Sequence, residues 1–304
     1  VLYQLSYTRI AAPIAPGGGR VSTASADSGR AVTNARPTKS GCYGAPDMVQ
    51  FNHAQREITL KVVYYGPALS GKTTNLQMVH QLLDPQSRGR LMSLDTADDR
   101  TLFFDLLPVF FKSKTGFKVK IKMYTVPGQI MHQSTRRIVL SGADGVAFIA
   151  DSQRAEAKAN TEAWKSMMEN FKQNGLDPET IPIVVQFNKR DLPNVRTDQE
   201  IEAIKANSKE PVFTAVAIRG DGVLETLFAL LRLTFRSLTK QYDFEGKFGL
   251  SEAEFLRAVF KRVAPEHAHA VVQRLEAHAA STASTPPTAA PTVAVPKEEG
   301  GPKE

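Results

Sequence analysis

Hydrophobic and polar positions follow two rhythms between Met48 and Leu238. Residues 58–65 read ITLKVVYY, a strand, and lead through a Gly-rich turn into a helix whose Leu76, Val79 and Leu83 recur at helical spacing. Two further strand runs, 106–112 and 117–124, flank Lys114-Thr115-Gly116, which predicts a hairpin turn. Short buried-strand runs follow at 145–150, 181–187 and 212–218, with helical stretches between them. The last helix, with Asp221 as its predicted N-cap, lines up Val223, Leu227, Leu230, Leu231 and Leu238. Strand–helix alternation of this kind predicts an α/β fold, a mostly parallel sheet with helices on both faces. The hairpin adds one antiparallel edge strand.

A second amphipathic stretch lies beyond. Ser251-Glu-Ala-Glu254 has the form of a capping box, heading an apolar stripe of Phe255, Leu256, Val259, Phe260 and Val263. The stripe is read as a helix folded back on the domain, in preference to one that docks a partner.

The two ends have a different composition. Residues 1–47 are rich in Ala, Gly, Ser and Pro and lack apolar periodicity, so they cannot bury enough surface to offset their ordering entropy. Met48 stands just before a patterned strand, and no amphipathic helix precedes it. The segment is therefore expected to be non-native or disordered rather than a targeting sequence. From Ala280 a Pro/Ala/Thr tract reads as a disordered tail. The expected division is 1–47 as an N-terminal extension, 48–240 as the folded domain, 241–279 as a helical extension and 280–304 as tail.

The net charge of +7 over 304 residues is mild and does not call for nucleic acid. A single Cys, Cys42, excludes an internal disulfide framework. No apolar run reaches the ~18 residues of a membrane span, so a cytoplasmic protein without an integral membrane segment is expected. Charge concentrates only at Lys112, Lys114, Lys118, Lys120 and Lys122; the last three alternate, and are read as guards on an edge strand.

The chemistry is carried by three motifs in order. Gly66-Pro-Ala68-Leu69-Ser70-Gly71-Lys72-Thr73 fits G-x-x-x-x-G-K-[ST], between a predicted strand and helix. Its amides and the helix N-terminus suit phosphate oxygens. Lys72 reaches the β- and γ-phosphates, Thr73 offers a hydroxyl to Mg²⁺, and Thr74 serves the α-phosphate. About 115 residues on, Asn188-Lys189-Arg190-Asp191 ends a predicted strand. There an Asp191 carboxylate can accept both N1–H and the 2-amino group of guanine, a donor pair that adenine lacks. Ala217, ending the next strand, could donate its N–H to guanine O6. Between these, Pro127-Gly128-Gln129 can set the Gly128 N–H on a γ-phosphate and let Gln129 orient water. The stretch 93–101, read as a loop, offers Thr101 to Mg²⁺ and Arg100 as an arginine finger in cis.

With these residues in view, the chain resembles the MglA-type (mutual gliding protein) bacterial small Ras-like GTPases over roughly residues 56–240. The strings that carry the likeness are VVYYGPALSGKTTNLQ, SLDTADDRTLFFDLLP, MYTVPGQ, GADGVAFIADSQ and NKRDLPN. The resemblance implies a P-loop NTPase with a six-stranded Ras-like mixed sheet, GTP hydrolysis with Mg²⁺, and catalytic roles for Arg100 and Gln129. It also implies activation by a Roadblock/LC7-type homodimer and a part in cell polarity or surface motility; it names neither effector nor exchange factor. In this family Thr, here Thr125, replaces the acid of D-x-x-G. Ala68 stands where the family has Gly, and its Cβ is expected to crowd the γ-phosphate and slow hydrolysis. A GTP-gated binding module that hardly hydrolyses is the alternative.

Overall fold

The computed structural model describes residues 50–52, 57–94, 104–112, 116, 118–127 and 133–262. The strands are β1 (Gln50–Asn52), β2 (Glu57–Tyr65), β3 (Met92–Leu94), β4 (Phe104–Lys112), β5 (Lys118–Thr125), β6 (Gly145–Asp151), β7 (Ile183–Asn188) and β8 (Val212–Thr214). They form one sheet in the order β3-β4-β5-β2-β6-β7-β8, with β1 pairing off this path along β2. Pairings from β5 through β8 are parallel, whereas β3–β4, β4–β5 and β1–β2 are antiparallel. The α/β class is as expected, and the described strands number eight rather than six. The additions, β1 and β3, are three residues each, too short to show a period of two. Ser93 and Leu94, at the head of the stretch read as a loop, belong to β3 and pair with Asp105 and Phe104.

Burial explains the sequence texture. All seven residues of β6 and all six of β7 are buried, because helices cover both faces of these central strands. One apolar cluster joins the sheet to α1 (Lys72–Leu82), α5 (Val223–Tyr242) and α7 (Glu252–Phe260); the other joins it to α2 (Gln133–Leu140), α3 (Ala157–Gln173) and α4 (Asp198–Asn207). A short α6 (Phe244–Phe248) links α5 to α7. Gly222, at φ 74, caps α5 in place of Asp221, whose side chain pairs with Arg219 at 3.2 Å.

The hairpin forms with Lys112 opposite Lys118. β4 is not the edge, since β3 lies outside it, and the lysines of β5 do not guard an edge either. β5 is held by β4 on one side and β2 on the other, so Lys118, Lys120 and Lys122 stand on a sheet face. Two cations rest there over rings: Lys120 Nζ lies 5.3 Å from the Phe110 centroid and Lys61 Nζ 5.0 Å from that of Tyr124.

The residue-240 boundary falls within α5, and the helices beyond it share the domain's core. Phe255 is 1% exposed, stacked on Phe235 at 4.6 Å and edge-on to Phe111 at 5.5 Å. Arg232 and Arg236 of α5 each meet Glu252 at 2.7 Å, and the Asp84 N–H donates to the Arg262 carbonyl at 2.7 Å. Ser251 Oγ accepts the Glu254 N–H at 3.3 Å, one of the two bonds of a capping box. The stripe is thus folded back on the domain. Phe255→Ala is expected to lower the unfolding free energy by about 3–5 kcal/mol. Arg257→Ala, on the exposed side of α7, is expected to change it by less than about 0.5 kcal/mol. Urea unfolding of both variants checks this.

Candidate functional site

The loop between β2 and α1 is shaped by positions that admit no side chain. A Cβ on Gly66, at φ 151, would sit 2.2 Å from the Ile149 carbonyl oxygen; one on Gly71, at φ 96, would sit 2.2 Å from Asn188 Nδ2. Leu69 holds a left-handed φ of 60 at the apex, 87% exposed, beside the exposed Ala68. Ser70 is buried beneath them. Gly71 caps α1 with no side-chain hydrogen bond, and the first turn contains no acid. The leading amides of α1 therefore keep their positive end for an external anion.

Lys72 folds back over this loop, donating to the carbonyls of Gly66 at 3.1 Å and Pro67 at 2.5 Å. Burial above all, then Arg136, pushes its ammonium down to about 7; Asp105 opposes the shift and Lys189 adds to it. Bound phosphate would supply the missing counter-charge. Thr73 is exposed at the start of α1 and Thr74 half-buried beside it.

The Asn188-Lys189-Arg190-Asp191 motif meets the phosphate loop through Asn188. Asn188, 2% exposed at the end of β7, donates from Nδ2 to the Ser70 carbonyl at 2.9 Å and accepts the Ala217 N–H at 2.9 Å. Two expectations about Ala217 are corrected. β8 ends at Thr214 and Ala217 opens a 3-10 turn, Ala217–Arg219; its amide is bonded to Asn188 rather than free for O6. Lys189, left-handed at φ 63, pairs with Asp151 at 2.7 Å. Asp191 is exposed, and its carboxylate has no partner among the described residues.

Arg100, Thr101, Gly128 and Gln129 lie outside the described residues. Sequence reasoning missed three others that do lie in the site. Asp151 braces Lys189. Arg136, 3% exposed on α2, donates to the Pro127 carbonyl at 2.9 Å, just ahead of Gly128. Asp105, 8% exposed on β4, accepts the Thr73 hydroxyl at 2.6 Å, the Ser93 hydroxyl at 2.6 Å and the Thr125 hydroxyl at 3.0 Å. The signal for Asp105 was available: Asp105 and Thr125 stand ten residues to either side of Thr115, the centre of the predicted turn. Among the described residues no group of three or more His, Cys, Asp or Glu could hold a metal ion. A hydroxyl beside a carboxylate at the helix start nonetheless fits Mg²⁺, which takes few protein oxygens when phosphate supplies the others.

This sheet order, with a phosphate loop at the end of its central strand, defines a Ras-like P-loop GTPase fold. No protein-family model matches the chain. It is 44% identical over 189 residues to "Mutual gliding-motility protein MglA" of Myxococcus xanthus (strain DK1622), which covers 62% of this chain and 97% of the relative. The chain belongs to the MglA family of small GTPases. No helix among the described residues is long and apolar enough to cross a membrane.

The Lys72 environment sets a pH dependence. Folded Lys72 gives up its proton near 7, while the unfolded chain keeps it to about 10.5. Its contribution to the stability of the ligand-free protein is therefore poorest at low pH and improves as pH rises between those values. Lys72→Met, which has no charge to bury, is expected to be more stable than wild type at pH 6, with a smaller advantage at pH 9. Urea unfolding of both proteins at the two pH values measures the gap, and a gap that widens with pH contradicts the assignment.

Proposed function

We propose that this chain is a cytoplasmic GTP-dependent switch that hydrolyses GTP to GDP and phosphate and alters its partner contacts with the nucleotide state. The carrying observation is the Asn188 bridge, which ties a phosphate cradle without a capping side chain to a loop presenting Asp191, whose carboxylate has no partner among the described residues. In this reading the amides of residues 66–74 and Gly128 hold the phosphates, and Lys72 neutralises the outer two. Lys189 covers the base and Asp191 accepts its two donors. Mg²⁺, held by the hydroxyls of Thr73 and Thr101, would neutralise the phosphate charge. Gln129 orients the attacking water, and Arg100 stabilises charge developing on the transferred phosphoryl group. A Roadblock/LC7-type homodimer would set these two residues in place. The likeness to a gliding-motility protein supports a role in cell polarity or gliding motility.

Ala68 favours a second reading, a GTP-gated binding module with little intrinsic hydrolysis. Its place at the exposed apex of the cradle, next to left-handed Leu69, is where a Cβ meets the incoming γ-phosphate end.

Two measurements test the proposal. Asp191→Asn exchanges one acceptor for a donor, which suits the 2-oxo group of xanthine and leaves guanine's 2-amino group facing a donor. GDP affinity is expected to fall by about 100-fold or more while XDP binds better than to wild type; unchanged GDP affinity would remove Asp191 from base recognition. In single-turnover hydrolysis, Ala68→Gly is expected to be faster by about tenfold, corresponding to ~1.4 kcal/mol off the barrier. A variant no faster than wild type, with and without the Roadblock partner, assigns the slow step elsewhere.

A further inference from the structure

P-loop GTPases hold Mg²⁺ with an acid at a strand end, which in the D-x-x-G pattern falls at the end of the second strand of this hairpin. Here that position is Thr125, the last residue of β5. Its hydroxyl is already engaged, donating to Asp105 Oδ2 at 3.0 Å and accepting the Asp105 N–H at 2.9 Å. We propose that Asp105, from the neighbouring strand, supplies the acid that Thr125 lacks and directs it at the Mg²⁺ of the bound nucleotide. The inference rests on the GTPase reading above.

Three features of the geometry converge on it. The β4–β5 ladder runs from Lys112 opposite Lys118 to Leu106 opposite Tyr124, and one residue further on sets Asp105 across from Thr125. An acid on either residue thus reaches the same end of the sheet. Second, Asp105 is buried and, among the described residues, receives hydroxyls from Thr73, Ser93 and Thr125 but makes no salt bridge. The Lys72 ammonium acts on it only through space, being held by the Gly66 and Pro67 carbonyls, and a buried carboxylate so weakly compensated is costly to hold unless a further cation binds beside it. Third, Thr73 Oγ1 donates its proton to Asp105 at 2.6 Å. A hydroxyl whose proton is so committed keeps its lone pairs for a metal. Orienting partners of this kind raise ligand basicity and fix direction. Asp105 therefore acts as a positioning residue for the Thr73 hydroxyl and adds the negative charge that holds the cation.

A purely structural role for Asp105 predicts something different: loss of stability without loss of metal response. The test loads wild type, Asp105→Asn and the exchange variant Asp105→Thr/Thr125→Asp with fluorescent GDP. Release is timed in excess EDTA and in millimolar Mg²⁺, and thermal melts of the loaded proteins confirm folding. Mg²⁺ is expected to slow release from wild type by about 10- to 100-fold, and from Asp105→Asn by less than about threefold. The exchange variant is expected to recover most of the wild-type ratio, because the carboxylate returns from the other strand. Asp105→Asn with a wild-type ratio overturns the proposal, as does a folded exchange variant with no recovery. If Asp105→Asn does not fold, the exchange variant decides alone. Wild type that fails to bind GDP, or binds it without response to Mg²⁺, brings down the GTPase reading and this inference with it.

Discussion

Asn188 can leave its place only by breaking two buried bonds. Its amide nitrogen holds the Ser70 carbonyl in the phosphate loop, and its oxygen holds the Ala217 amide in the turn after β8. Losing either partner strands a buried polar group, which costs about 1–3 kcal/mol. The phosphate loop and the loop carrying Asp191, the two halves of the proposed nucleotide site, are thereby held together. Gly71 follows from the same contact, since the space a Cβ would fill is taken by the Asn188 amide. The motif asparagine is therefore a strut between two loops, and Asp191 near it is exposed, with no carboxylate partner among the described residues.

Around that strut the site is electrostatically unfinished. The helix start has no capping side chain, Lys72 is buried against carbonyls with its pKa drawn down to about 7, and Asp105 is buried among hydroxyls. Positive helix end, suppressed ammonium and a buried carboxylate with no salt bridge among the described residues are each unfavourable alone. A magnesium-bound nucleoside phosphate would complement all of them, phosphate serving the first two and metal the third. Within residues 66–72, the positions fixed by Gly66, Gly71 and Asn188 leave little backbone ordering to be done on binding.

Much of this was legible in the chain. The phosphate loop and the β6 and β7 strands carry their meaning in contiguous residues, so motif and periodicity recover them. What escaped depends on pairing across the sheet. β1 and β3 are three-residue strands that exist because β2 and β4 offer free edges, not because their own residues alternate. The lysines of β5 alternate as a guarded edge would, yet only the parallel pairing with β2 reveals that they lie on a face. Asp105 became a site residue through the hairpin register, which the symmetry about Thr115 encoded but no single motif displayed. The amide of Ala217 is bonded to Asn188, 29 residues away in sequence, a contact that no local pattern displays.

Discrimination between purines is the property on which the GTPase reading depends. Calorimetric titration of the purified chain with GDP, GTP and ATP in the presence of Mg²⁺ is the most direct measurement. GDP and GTP are predicted to bind at least about 100-fold more tightly than ATP, as expected when a buried site leaves hydrogen-bonding groups unpaired by the wrong base. Equal affinity for ATP, or no binding of either guanine nucleotide, would contradict it.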